Sequence, residues 1–115
     1  MGRYSALRNQ YVRGEDVRTY VAAGAITISD GVHAIRATAA AAMTLAAPGA
    51  GDEGTQITVT ARTAFAHTLT IAGGIGGRGI TTDVVTFAAV GDTITLIADN
   101  LVWVPMGAPY GATIA

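Results

Sequence analysis

The chain has no cysteine and no lysine, and only 6% of its 115 residues are aromatic. The first absence excludes disulfides and thiolate metal sites, so the redox compartment leaves no mark on the sequence. The second makes all seven basic residues arginines. Their planar guanidinium groups suit bidentate pairing and stacking at interfaces, although a GC-rich genome would produce the same bias. With few aromatics, the 50% apolar share is largely alanine and β-branched residues, a composition that fits a small sandwich or barrel. Long apolar runs are also missing. The most apolar stretch, "ATAAAAMTLAA" (37–47), falls well short of the roughly 18 residues of a membrane span. The start "MGRYSA" lacks a signal-peptide core and carries Ala6 where myristoylation wants Ser or Thr. The expectation is one domain with no targeting signal and no membrane contact.

What is present is alternation. From Val17 onward, short runs of period two lie between turn signals: "VRTYVA" (17–22), "AITIS" (25–29), "VHAIRAT" (32–38), "MTLAA" (43–47), "TQITVTAR" (55–62), "HTLTIA" (67–72), "DTITLIA" (92–98) and "LVWVP" (101–105). In the clearest of them, Ile57, Val59 and Ala61 share one face and Thr58, Thr60 and Arg62 the other. "PGAGDEG" (48–54) reads as a surface loop. Asp99-Asn100 reads as the two-residue type I′ turn of a final hairpin, since both residues tolerate positive φ. The pattern predicts an all-β fold, a compact antiparallel β-sandwich or barrel with a jelly roll among the options, spanning 17–105. An extended arm (1–16) precedes it and a tail (106–115) follows. Two helices compete with this reading, one in the alanine run and one in the arm, where Tyr4, Leu7 and Tyr11 are spaced i, i+3, i+7 before Gly14.

Motifs for chemistry are weak. "TIAGGIGGRGITTD" (70–83) contains a literal G-x-G-x-x-G at Gly74, Gly76 and Gly79. That fingerprint binds a dinucleotide only where it opens a helix, and "ITTDVVTFAAVGDTITLI" (80–97) carries no helical stripe. The glycines are read instead as a β-loop that needs positive φ or close backbone approach. His67 shares parity with Leu69 and Ile71, so it is expected to be partly buried and hydrogen-bonded rather than a general base. Ser29, Asp30 and His33 sit in and just after a turn, where three such neighbours do not converge as a catalytic triad does. The histidines lack HxH or HxxxH spacing for a metal. No enzyme activity, metal or cofactor is expected.

Charge points to the arm. Four of the seven arginines (Arg3, Arg8, Arg13, Arg18) lie within the first eighteen positions, interleaved with Tyr4, Tyr11 and Tyr20. Arg and Tyr dominate the energetic centres of protein interfaces. After residue 20 there are three Arg against six Asp and Glu, which argues against nucleic acid. Arg3, Tyr4, Arg8, Tyr11 and Arg13 are therefore the candidate partner-binding residues, with Arg78 at the tip of the glycine loop.

The segments "TLAAPGAGDEGTQITVT", "AHTLT", the glycine loop 73–79 and "TFAAVGDTITLIADNLVW" together resemble a family of small β-rich proteins encoded among the structural genes of tailed bacteriophages. The likeness covers roughly residues 30–105. It implies a virion component, either a capsid decoration (cement) protein or a fibre, spike or baseplate module. A sheet this rich in Ala, Val and Ile leaves apolar strands with little aromatic or charged cover, which predicts an oligomer, a trimer ahead of a dimer. The resemblance and the arm together suggest that it binds the major capsid protein or another virion protein at the capsid surface. A carbohydrate-binding β-sandwich is the alternative from another class, with Trp103 and Tyr110 stacking on sugar, although Trp103 also suits the hairpin core.

Overall fold

The alternating runs do form strands, and their order shows how they are wound. The computed structural model of the chain describes residues 17–76 and 82–115. Its strands are β1 (Val17–Tyr20), β2 (Gly24–Ala25), β3 (Gly31–Ile35), β4 (Ala42–Leu45), β5 (Gln56–Ala61), β6 (His67–Ala72), β7 (Thr82–Phe87), β8 (Thr93–Asp99), β9 (Val102–Pro105) and β10 (Thr113–Ile114). They build two five-stranded sheets, β1-β3-β5-β8-β9 (sheet A) and β2-β4-β6-β7-β10 (sheet B). The fold is an all-β sandwich, as the period-two pattern predicts.

The purely antiparallel expectation needs correction. The first six strands alternate between the sheets, so β1, β3 and β5 lie parallel in sheet A, and β2, β4 and β6 lie parallel in sheet B. This part of the chain winds as a short two-sided coil. A hairpin then reverses the direction, and β7, β8, β9 and β10 add antiparallel. The result is five layers, each pairing one strand from each sheet. The layers stack about 4.8 Å apart, the ordinary strand spacing. Sequence cannot distinguish the two arrangements, because a strand half-buried in a parallel ladder alternates in the same way as one in an antiparallel ladder.

The core lies between the sheets. Ile35, Ile57, Val59, Leu96 and Trp103 come from sheet A, and Met43, Leu45, Leu69, Ile71, Val85 and Phe87 from sheet B, all at 0% exposure. Fully burying each such side chain is worth about 1.5–3 kcal/mol. The alanine run gives β4 and its leading turn, and no α-helix occurs among the described residues. β2 is shorter than the 25–29 reading. Ile26 N–H still reaches Thr44 O, but Thr27 and Ser29 are held by Tyr20 and His33, which draws the chain back toward sheet A. Beyond Pro105 the chain stays on the domain: Ala112 is buried and Thr113 pairs with Thr86.

The last hairpin is a two-residue turn shifted by one position. Asp99 pairs with Val102, and Ala98 opposes Trp103, setting the smallest side chain against the largest. Positive φ therefore falls on Asn100 (54°) and Leu101 (67°), in place of Asp99 and Asn100. Glu53 accepts Asn100 N–H at 3.0 and 3.2 Å and fixes this register. Leucine is disfavoured in this region, and glycine there would complete the preferred Asn-Gly pair. Leu101→Gly should raise stability by about 0.5–1 kcal/mol, the relief of a left-handed penalty of about 1–2 kcal/mol offset by the greater freedom of glycine in the unfolded chain. Asn100→Val should lower it by about 1 kcal/mol or more. Melting curves of the two variants moving in the same direction would contradict this turn.

Candidate functional site

The structure ties its chemically capable side chains to its own backbone. His33, on the inner face of β3, donates from Nε2 to Ser29 O (2.9 Å) and accepts at Nδ1 from the Tyr20 hydroxyl (2.8 Å). That hydroxyl accepts Thr27 N–H (3.0 Å). His67, at the start of β6, accepts Ala41 N–H at Nδ1 (3.1 Å) and donates from Nε2 to Thr63 Oγ1 (2.9 Å). Thr63 in turn donates to Ala37 O (2.6 Å). Both rings are neutral in these networks. Burial holds the His67 pKa below its ordinary value, opposed by the hydrogen bond at Thr63. Burial likewise lowers that of His33, opposed by the bond to Ser29 and reinforced by Arg18. Each histidine pins one chain turn to its neighbour, the structural role read from the parity of His67.

The carboxylates act in the same way. Asp30 accepts Gln56 N–H (2.8 Å), Asp52 accepts Gly49 N–H (2.8 Å), and Asp92 accepts both Ala88 and Ala89 N–H (2.9 and 3.0 Å). Asp83 is fully buried beside Val85 and Phe87 and accepts Ile75 N–H at 2.7 Å. In the Ser29, Asp30, His33 group, the imidazole bonds the carbonyl of Ser29, while its hydroxyl accepts from Arg18 Nε (3.1 Å). No triad forms. Among the described residues, no three His, Asp or Glu side chains converge as a metal site would require. Trp103 is fully buried and donates from Nε1 to Ala46 O (2.8 Å).

The glycine loop resolves as geometry. Gly73 and Gly74 have φ of 80° and 72°. Gly76 donates to Trp103 O at 2.8 Å, and a Cβ on it would come within 3.0 Å of Val102 Cγ2. Buried Ile75 bridges to Trp103, so the start of the loop seals the edge of sheet A beside β9. Gly79 and Arg78 lie outside the described residues, as do Arg3, Tyr4, Arg8, Tyr11, Arg13 and the helical reading of the arm.

The strand directions separate two ends. At the upper end five arches cross between the sheets, one per layer: 21–23, 36–41, 62–66, 88–92 and 106–112. Each of the last four is bonded to a strand end of the adjoining layer, with Arg36 N–H to Tyr20 O, Arg62 N–H to Ile35 O, Gly91 N–H to Ala61 O and Thr93 N–H to Tyr110 O. Of the exposed large apolar side chains, Val21, Phe65, Val90, Met106 and Tyr110 sit on these arches, joined by exposed Arg36 and Arg62. At the lower end the described acids that reach the surface are Asp30, Asp52, Glu53 and Asp99, beside exposed Arg18, with Val17 and, in the hairpin turn, Leu101 as the exposed apolar residues. Of the arch residues only Tyr110 stands out in the sequence. Val21 lies in the strand-like run 17–22, Phe65, Val90 and Met106 are lone apolar residues in turn-like segments, and their convergence follows from the layer order. No protein-family model matches the chain, and no curated protein matches it in sequence.

Proposed function

We propose that this chain is a non-enzymatic structural module of a tailed-phage virion, and specifically a capsid decoration protein that oligomerises and holds the capsid surface partly through residues 1–16. One observation supports the reading beyond the resemblance itself. Four polar or aromatic residues in the motifs that carry the resemblance, Asp52, His67, Asp92 and Trp103, bond to the chain's own backbone. Such motifs encode a shape. A protein whose shape is its function works by bridging neighbours, because binding the assembled shell shifts the equilibrium toward assembly.

The test is deletion of residues 1–16. All ten strands of the described residues lie at or beyond Val17, so the truncated protein should keep its β circular dichroism. Its affinity for undecorated capsids should fall about tenfold or more, given that single interface arginines commonly contribute over 1.4 kcal/mol. Unchanged occupancy by a folded truncation would refute the arm as anchor. Electron microscopy of purified virions separates capsid decoration from a fibre or baseplate module. For the carbohydrate alternative, burial of Trp103 leaves Tyr110, 75% exposed, as the aromatic available for stacking. Binding on a glycan array would favour that class.

A further inference from the structure

The arch end combines three properties that seldom occur together on a solvated surface. It carries an apolar stripe from Val21 (71% exposed) in the first layer to Tyr110 (75% exposed) in the fifth, a length of roughly 19 Å at ordinary strand spacing. Its exposed charges are Arg36 and Arg62, since Asp92, the acid on these arches, is buried against Ala88 and Ala89 N–H. Hydrogen bonds tie successive arches to the strand ends of the adjoining layers, which organises the surface before any partner arrives. Tyr, Phe, Met and Arg on a preorganised frame are the composition of an interface core.

The lower end is its complement. Asp30, Glu53 and Asp99 are exposed there against one described cation, Arg18, whose Nε is bonded to Ser29 Oγ, and Leu101 projects from the hairpin at 54% exposure with φ of 67°. A leucine held in a conformation suited to glycine, and left in water, places an apolar contact amid acids. We infer that the arch end docks the lower end of a second copy, with Leu101 entering the apolar stripe and the acids facing Arg36 and Arg62. This pairing is heterologous, so copies add head to tail and the assembly stays open unless a rotation closes it. It does not depend on the virion reading and holds for any setting of the protein.

Sedimentation of the full chain tests this with two surface variants. Val90→Asp/Tyr110→Asp disables the arch end. Glu53→Gln/Asp99→Asn removes the two acids that flank Leu101 and leaves an amide oxygen to accept Asn100 N–H. Wild-type protein should form species that grow with concentration and weaken about tenfold on going from low to high salt. Each variant alone should be monomeric. An equimolar mixture should form a dimer and nothing larger, because each partner retains one intact end. Leu101→Gly should weaken association while raising the melting temperature, which separates loss of contact from loss of fold. A wild-type monomer at every soluble concentration would overturn the inference and assign the arch end to a different protein. Association of the lower-end variant alone would overturn it in favour of a symmetric contact. Either result leaves the capsid-binding test of the arm unaffected.

Discussion

Gly111→Ala should destabilise the fold by about 3–5 kcal/mol, several times the loss from the same change at Gly107. Both glycines lie on the fifth arch with positive φ, 72° and 84°, so both substitutions carry the left-handed penalty of about 1–2 kcal/mol. They differ in what a methyl group would meet. At Gly107 nothing lies within 4 Å, whereas at Gly111 the new Cβ would collide with the Asp92 carboxylate. Asp92 cannot yield cheaply, because its Oδ2 holds Ala88 and Ala89 N–H and so closes the fourth arch. Hydrogen bonds to a charged group are worth about 1.5–3 kcal/mol each, and displacing the carboxylate strains two. Asp92 O also accepts Ala61 N–H, which carries the disturbance to the third layer. Urea denaturation of the two variants is the measurement. Equal losses at both positions would show that the contact between Gly111 and Asp92 does not constrain the arch.

That contact illustrates which parts of the molecule were legible in the sequence. The β6 reading at 67–72 matches the observed strand, and that of β5 lies within one residue at each end, because Ile57, Val59, Leu69 and Ile71 alternate without interruption. The burial of His67 follows from the same parity. Asp83 carries a similar signal, since it alternates in phase with Val85 and Phe87 on the buried face of β7, but Thr81-Thr82-Asp83 has the composition of a loop, which masks it. β10 was not legible, since two residues have no period.

The two ends were hidden for a different reason. Val21, Phe65 and Val90 are separated in sequence by 44 and 25 residues and come together only because successive strands cross between sheets. Alternation defines the faces of a strand and says nothing about which strand lies beside it. Local chemistry also shifted the final turn. Asp99 and Asn100 have the better turn propensities, yet opposing Trp103 to Ala98 keeps Asp99 in the ladder and leaves the strain on Leu101.

Stability should fall as pH drops below about 6.5, the ordinary histidine value, and His67 should account for the steeper part. Both histidines have folded-state pKa values below their unfolded value, chiefly through burial. As pH decreases through 6.5, the unfolded chain therefore takes up protons that the folded chain refuses. The stability present at neutral pH is lost progressively until the folded-state pKa values are reached. Each histidine contributes a slope of up to about 1.4 kcal/mol per pH unit in that window. The two differ in what the added proton would face. At His33 it points to the Tyr20 hydroxyl, which can rotate to accept it. At His67 it points to Ala41 N–H, a backbone donor that cannot turn away, so charging the ring breaks that bond and sets donor against donor. Urea midpoints between pH 7.5 and 5.5, above the range where carboxylates begin to titrate, isolate this effect. His67→Gln should be less stable at neutral pH and should flatten the pH dependence more than His33→Gln does. An unchanged slope in His67→Gln would mean that His67 does not carry the acid sensitivity of the fold.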